Sequence, residues 1–160
     1  MRRQLTVLVG MTAIIVLPQW SRAAAIDREV RYGPPITLEQ AKRVAAAAVS
    51  EAKLRGLYPT IAVCDPSGEL VYFEKATGSQ YSAGEIAIGK ARSAARYRRP
   101  SKELTDTLNS GNLATLALPG AIMGDTGGIP IVVGGLVIGA IGSTGGDGDI
   151  VSKAGAAALK

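Results

Sequence analysis

Two adjacent glycines in the last third of the chain separate two apolar runs, and this pattern constrains the fold more than any other. Residues 129–133 precede Gly134 and Gly135, and residues 136–141 follow them. A glycine pair between two β-type runs is typical of a tight hairpin. The second run is continuously apolar rather than alternating, so it predicts a strand that is buried on both faces.

The first half of the mature chain predicts a helix followed by another hairpin. Residues 37–40 fit a capping box, apolar residues follow at spacings of three and four, and Gly56 is expected to end the helix. Residues 60–64 and 70–73 are rich in β-type side chains, and residues 65–68 between them are all turn formers.

Two further helices are predicted before the glycine-rich segment. A second capping box at residues 82–85 is expected to open a helix that runs to about Tyr97, where Pro100 stops it. Ser101 is expected to cap a third helix that ends near Gly111. Helices and hairpins in this order, without βαβ alternation, predict an α+β fold with an antiparallel sheet. The buried stripe of the second helix is predicted to be Ile86, Ala87, Ala91, Ala94 and Ala95.

The doubly buried strand also bears on assembly. A small domain with two or three helices is expected to cover one face of its sheet but not both. We therefore predict a homo-oligomer, in which a second copy covers the remaining face.

The first 25 residues are expected to be a secretory signal peptide rather than part of the fold. A short basic start, an apolar segment at residues 5–17 and an alanine-rich cleavage site follow the order of such signals. The apolar segment has 13 residues, whereas a membrane-spanning helix needs about 20. We therefore expect a periplasmic or secreted protein without a membrane anchor, with an N-terminal arm at residues 26–36 and one domain at residues 37–160.

Composition excludes several classes of function. The chain has no histidine, which excludes a Ser-His-Asp triad, an HExxH zinc site and histidine-ligated haem. Without residues 1–25 the chain keeps 15 basic and 13 acidic residues, a net charge of +2. Aromatic residues make up only 4%, and neither property favours nucleic-acid binding.

Three separated blocks of the sequence carry a family resemblance. They are Val63-Cys64-Asp65-Pro66-Ser67-Gly68-Glu69-Leu70, Ile86-Ala87-Ile88-Gly89-Lys90-Ala91-Arg92-Ser93-Ala94, and Gly127-Gly128-Ile129-Pro130-Ile131 with Gly135, Gly139-Ala140-Ile141-Gly142, Thr144-Gly145 and Ala154-Gly155. These blocks resemble the GlcG/HbpS family of haem-binding proteins and are similar to the C-terminal domain of PduO-type corrinoid adenosyltransferases. The resemblance spans about residues 37–159.

The resemblance implies a profilin-like sandwich with a five-stranded antiparallel sheet flanked by helices. It also implies a homo-oligomer and the binding of haem or a related tetrapyrrole, often in an exported protein. We therefore expect a non-enzymatic, exported haem-binding protein whose partner is a small anionic ligand.

Without histidine, an axial ligand of haem iron must be tyrosine, cysteine thiolate, methionine or a weaker group. Tyr97 is the first candidate, because the cations around it favour tyrosinate and can hold carboxylates. The alternative interpretation is a half-buried aromatic residue at a solvated helix end. Cys64 is expected to be a buried, inert thiol, and Met123 is expected to fill a gap rather than bind metal. The cations predicted to bind the ligand with Tyr97 are Lys90, Arg96, Arg98 and Arg99.

The glycine-rich loop at residues 142–149 could present N–H groups to an anion, although it lacks the lysine of a P-loop. Asp149 is expected to cap the last helix, and Asp147 and Asp149 supply too few oxygens for a calcium site. Two other functions stay open. One is a structural accessory subunit. The other is an enzyme, such as a lyase, an isomerase or a degrading enzyme, with a pocket between subunits and Lys90, Asp65 or Glu85 as acid or base.

Overall fold

The apolar run after the glycine pair forms the innermost strand of the sheet. The structure is a computed structural model and describes residues 30–120 and 126–160. Along the chain its elements are β1 (Arg31–Tyr32), α1 (Leu38–Leu54), β2 (Thr60–Cys64), β3 (Leu70–Lys75), α2 (Ala83–Tyr97), α3 (Ser101–Asn109), a 3₁₀ turn (Leu113–Ala117), β4 (Gly128–Val133), β5 (Leu136–Thr144) and α4 (Gly148–Ala157).

The sheet is built around β5 and is mostly antiparallel. β4 runs antiparallel along one edge of β5, and β2 runs antiparallel along the other. β3 pairs with β2 and forms an outer edge of the sheet. The predicted α+β class and both predicted hairpins are therefore confirmed.

The fifth strand differs from the prediction, because it is parallel and comes from the expected N-terminal arm. β1 pairs in parallel with the first residues of β5. The Gly33 N–H then donates to the Val137 carbonyl at 2.9 Å, and the Ile36 N–H donates to the Ile138 carbonyl at 2.8 Å. These bonds satisfy the part of the β5 edge that lies beyond the end of β2.

Helices from this chain cover both faces of the sheet. α1 and α4 pack together on one face, and α2 covers the opposite face with α3 beside it. The two faces of β5 are thus buried without a second copy. The argument from double burial to a homo-oligomer therefore fails, and the oligomer stays a prediction that rests on the family resemblance. The large side chains on the α1 and α4 face include Val44, Ile61, Val63, Ile131, Ile141 and Val151.

The contact between α2 and the sheet is made of small residues. Ala87 and Ala91 of α2 pack against Ala62 and Cys64 of β2. A Cβ atom at Gly142 would overlap the backbone of α2 at Ala87 and Ala91. Large side chains on either surface would hold the helix further from the sheet, so this contact depends on alanine and glycine.

The predicted capping box of α1 is confirmed. The Thr37 hydroxyl accepts a hydrogen bond from the Gln40 N–H at 3.2 Å, and the Gln40 side-chain oxygen accepts one from the Thr37 N–H at 2.9 Å. Gly56 follows the end of this helix with φ +67°, a conformation that glycine adopts without steric cost.

The other three predicted caps are wrong. Ser82 precedes α2 but makes no side-chain cap, because its backbone is already helical, with φ −73° and ψ −14°. Ser101 is the first residue of α3 rather than its cap, and its hydroxyl accepts from the Gly128 N–H at 3.0 Å. Asp149 lies inside α4 and accepts from the Gly127 N–H at 3.0 Å. Instead of capping their helices, the Ser101 side chain bonds α3 to the start of β4, and the Asp149 side chain bonds α4 to the same segment.

The described residues also bear on the membrane question. Within residues 30–120 and 126–160, each helix is too short or too polar to cross a lipid bilayer. The predicted signal peptide at residues 1–25 lies outside the described residues.

Candidate functional site

Tyr97 and Lys90, two of the predicted ligand-binding residues, lie on one stripe of α2 together with Ser93. The Tyr97 hydroxyl donates to the Pro119 carbonyl at 2.8 Å, and the Ser93 hydroxyl donates to the Gly120 carbonyl at 3.0 Å. Lys90 is 7% exposed, and its ammonium donates to the Thr126 carbonyl at 2.6 Å. This stripe therefore holds the backbone on both sides of residues 121–125.

The predicted arginines contact different parts of the fold. Arg96 Nε donates to the Ser67 carbonyl of the first hairpin turn at 2.6 Å. Arg98 adopts φ +52° at the end of α2, donates to the Val30 carbonyl at 2.8 Å and lies 5.1 Å from the Tyr32 ring centroid. The Nε of Arg99 is buried and has no hydrogen-bond partner among residues 30–120 and 126–160. Ligand binding by Tyr97 and these cations stays a prediction, since the cations are spread over three neighbouring segments.

Cys64 and Met123 were both expected not to bind metal, and of the two only Cys64 lies within the described residues. Cys64 is fully buried in β2, and burial raises the pKa of its thiol to about 12, with Arg92 opposing the shift. At neutral pH it is a neutral thiol, which agrees with the predicted inert residue. Met123 lies outside the described residues.

The acids proposed for the enzyme alternative lie at opposite ends of α2. Asp65 is in the hairpin turn that Arg96 contacts, whereas Glu85 is exposed in the first turn of α2. Glu85 and Arg96 are eleven positions apart, which corresponds to about 16 Å of helix. Among the described residues, His, Cys, Asp and Glu form no group of three or more that could hold a metal ion.

A cleft of about 510 Å³ lies at the N-terminal end of α2. It is enclosed by the α1–β2 connection, the β3–α2 connection, the first turn of α2 and the end of β5. Its lining side chains carry no formal charge. They are Leu57, Tyr58, Ser79, Gln80, Ala83, Ile86 and Thr144, with backbone from Gly56, Gly78, Gly145 and Gly146.

The four glycines of the cleft all have left-handed backbone conformations, with φ between +67° and +119°. At Gly56 and Gly78, an added Cβ atom would meet nothing within 4 Å. The backbone at these two positions is thus accessible, and a flat ligand could approach it closely. Ile86, predicted to lie in the buried stripe of α2, is instead partly exposed and lines this cleft.

Two threonine hydroxyls beneath the cleft have no hydrogen-bond partner in the part of the chain that the structure describes. Thr60 and Thr144 are paired across β2 and β5, and the Oγ1 atom of each is buried and unpaired. Thr144 lines the cleft, and Thr60 is fully buried beside it. A buried hydroxyl without a partner costs about 1–3 kcal/mol, so the base of the cleft has unsatisfied hydrogen-bonding capacity.

The five tyrosines divide into two groups by the hydrogen bonds of their phenols. Tyr32, Tyr72 and Tyr97 each donate to a carbonyl or carboxylate oxygen. Within the described part of the chain, the phenols of Tyr58 and Tyr81 have no acceptor. Tyr58 is 74% exposed on the edge of the cleft, and Tyr81 is fully exposed on the far side of the β3–α2 connection.

Charged side chains stand outside the neutral cleft. Arg55 adjoins Gly56 and lies 3.7 Å from the Asp147 carboxylate, which follows Gly146. Lys75 borders a neighbouring hollow of about 640 Å³ that shares Gly78, Ser79 and Gln80 with the cleft. Its ammonium lies 5.7 Å from the Tyr81 ring centroid. The lining and these edges together suit a mainly apolar ligand with peripheral anionic groups.

Sequence reasoning missed this cleft. Its signals were Gly56, Gly78 and the pair at 145–146, each of which marks a turn. A turn glycine shows where the chain bends but not which bends meet in space. The exposed tyrosine before Pro59 was the other unused signal.

Comparisons with known proteins converge on one family. The family described as "Haem degrading protein HbpS-like" matches residues 36–160. Protein GlcG of Escherichia coli is 34% identical over 107 residues, covering 67% of this chain and 79% of GlcG. An uncharacterised 15.0 kDa protein of Citrobacter freundii is 31% identical over 116 residues, covering 69% of this chain and 80% of its own length.

Solved structures have the same fold. The crystal structure of HbpS is 30% identical with a TM-score of 0.72, covering 82% of this chain and 95% of that one. A double mutant of Streptomyces reticuli HbpS is 29% identical with the same TM-score, covering 83% of this chain and 92% of that one. A PduOC–haem complex is 20% identical with a TM-score of 0.71, covering 79% of this chain and 96% of that one, and at this identity it supports the fold alone.

Proposed function

Since the chain belongs to the HbpS-like family, we propose that it binds haem or a related tetrapyrrole in the cleft at the N-terminal end of α2. The observation that carries the proposal is the cleft itself. Its volume of about 510 Å³ falls within the roughly 300–1,000 Å³ that is typical of small-molecule sites. Its apolar side chains and accessible glycine backbone suit a flat macrocycle.

The residues around the cleft fit such a group. Leu57, Ala83 and Ile86 supply apolar contacts for the ring, while Lys75 at the edge can pair with a carboxylate. Arg55 at the other edge is already paired with Glu51 at 2.7 Å and lies 3.7 Å from Asp147. When bound, haem would supply an iron centre that the protein's own side chains lack.

The Tyr97 end of α2 is the other candidate site. Tyr97 lies about 16 Å along the helix from Ile86, so one ligand ring does not contact both ends. Binding iron there requires the Tyr97 phenol to leave the Pro119 carbonyl. The cleft needs no such rearrangement, and it is the site that we favour.

We also propose that residues 1–25 direct export and that the mature protein acts in the periplasm or outside the cell as a non-enzymatic binder. The support is the order of basic, apolar and alanine-rich segments in the sequence. Mass spectrometry of the protein from the producing cell should give a mature N-terminus near residue 26. An intact N-terminus on periplasmic or secreted protein would refute the cleavage.

Haemin titration tests the binding function. We expect a saturable Soret band at one haemin per protomer. Gln80→Trp, which fills the cleft, should abolish it, whereas Lys42→Trp, near the distant start of α1, should not. Unsaturable adsorption, or equal binding by both variants, would refute the site.

The same complex separates a binder from a haem-degrading enzyme, which the family description favours as a second function. With ascorbate and oxygen added, a binder keeps its Soret band for hours. Protein-dependent bleaching, absent from haemin alone and from Gln80→Trp, would assign degradation.

A further inference from the structure

We propose that Tyr58 supplies the protein ligand to haem iron, through its phenolate oxygen. This inference rests on the proposed function and names the side chain that would hold the metal. It follows from which donor groups the chain has, which of them are already engaged, and which one borders the cleft.

The available donor atoms are few. The chain has no histidine, and its three methionines lie outside the described residues. Cys64 is fully buried with a pKa of about 12, because burial disfavours the thiolate. Tyrosine is therefore the remaining established type of haem ligand in the described part of the chain.

Three of the five tyrosines are engaged elsewhere. Tyr32 donates to the Arg96 carbonyl at 2.7 Å, Tyr72 to the Glu74 carboxylate at 3.1 Å and Tyr97 to the Pro119 carbonyl at 2.8 Å. Each would have to break a hydrogen bond before its oxygen could bind iron.

Tyr58 and Tyr81 remain, and their positions differ. Tyr58 lines the cleft together with Leu57 and Thr144. Tyr81 is not among the residues that line the cleft and borders only the neighbouring hollow, where the Lys75 ammonium lies over its ring. Tyr58 is thus the tyrosine that can reach a ligand in the cleft.

The backbone around Tyr58 is held in place while its side chain is not. The Leu57 N–H donates to the Ala52 carbonyl at 2.9 Å, and the Pro59 carbonyl accepts from the Ala76 N–H at 3.3 Å. Pro59 also restricts Tyr58 to an extended conformation. The phenol can therefore turn over the cleft without breaking a contact of the fold. On coordination to ferric iron the phenol proton passes to solvent, and no electron is transferred.

The test uses haemin with the mature protein and five variants. Wild type should show the charge-transfer absorption and resonance Raman bands of iron-bound tyrosinate. Tyr58→Phe should lose both and bind haemin at least about tenfold more weakly. Tyr81→Phe and Tyr97→Phe should keep both.

Tyr58→His supplies a gain of signal, since it should convert the complex to an imidazole-ligated spectrum. Tyr97→His is the matched control, and it should not give the imidazole-ligated spectrum. Thermal unfolding of each apo variant confirms that it is folded.

The outcomes separate the two proposals. If wild type gives no saturable Soret band, the haem-binding function fails. If wild type binds haemin but Tyr58→Phe keeps the tyrosinate signature, haem binding stands and Tyr58 is not the ligand. Loss of that signature in Tyr97→Phe alone would assign the ligand to the other end of α2 and overturn this inference.

Discussion

Gly142 of β5 lies directly beneath Ala87 of α2, so close that a Cβ atom at Gly142 would overlap the Ala87 carbonyl oxygen. The helix backbone therefore rests on the strand backbone with no side chain between them. Because α2 also forms one wall of the cleft, this contact sets the distance between the cleft wall and the sheet.

Gly142→Ala is expected to destabilise the fold strongly. The overlapping atoms belong to backbone and cannot turn aside, so we expect a loss of at least about 3 kcal/mol, measured by urea unfolding. Gly84→Ala, also at the α2 surface, would approach only the end of the Phe73 ring at 3.3 Å and should change stability by less than about 1 kcal/mol. If Gly142→Ala and Gly84→Ala destabilise the protein equally, the backbone contact at Gly142 does not have the role proposed for it.

Lys90→Met is expected to cost about 1–3 kcal/mol, because the partly buried Thr126 carbonyl loses a charged donor. Lys153→Met removes an exposed ammonium that lies 3.1 Å from the Asp149 carboxylate in an i,i+4 pair, and should cost no more than about 0.5 kcal/mol. Urea unfolding midpoints of the two variants measure the difference. If Lys90→Met lowers the unfolding midpoint as little as Lys153→Met does, then Lys90 does not hold the backbone at Thr126.

The Cys64 thiol should resist alkylation by iodoacetamide at pH 8 in the folded protein and react quickly in urea. Burial raises its pKa to about 12, above the ordinary value of about 8.5. The folded state therefore favours the protonated thiol, and its contribution to stability is present below about pH 8.5 and is lost as pH rises toward 12.

Cys64→Ala checks this linkage, since it should lose less stability than wild type between pH 8 and pH 11. Rapid labelling of the folded protein at pH 8 would show instead that the thiol is accessible.

Asp65 should make the fold sensitive to acid. Burial raises the pKa of its carboxyl, but hydrogen bonds from the Ser67 hydroxyl and the Glu69 N–H outweigh this and hold the pKa below its usual value. Its contribution to stability is therefore present above about pH 4 and lost as the pH falls further. Asp65→Asn should be less stable than wild type at pH 7 and closer to it at pH 3, in thermal unfolding. If the stability difference between Asp65→Asn and wild type does not change with pH, then the Asp65 carboxyl is not the source of the acid sensitivity.

The sequence predicted the elements better than it predicted their contacts. Both hairpins and the cap of α1 were readable, since a glycine pair and the Thr37–Gln40 reciprocal bonds act within a few residues. Ser101 and Asp149 had capping chemistry but were used to bond Gly128 and Gly127, more than twenty residues away. A local pattern shows that a side chain can accept a hydrogen bond, but the donor is chosen by the tertiary fold.

The candidate site was harder for the same reason. Tyr97 stood out because cations surround it in sequence, yet the structure turns Arg96 and Arg98 toward different segments. Arg55 is the charged residue nearest to Tyr58 in sequence, and the role that we propose for Tyr58 rests on the meeting of three connections at the cleft. Such convergence between distant turns leaves no periodicity for sequence reasoning to detect.

The backbone contact beneath α2 has a consequence for how this protein can diverge. On the α1 and α4 face, isoleucine, valine and leucine can exchange with compensating changes nearby, so homologues should drift there. On the α2 face, a side chain added at Gly142 would meet the helix backbone, and no neighbouring side-chain change can restore that space. Sequence variation among homologues should therefore be much greater in the α1 and α4 layer than in the α2 layer. The α2 layer, which should be nearly invariant, is also the one that carries the first turn of the cleft wall.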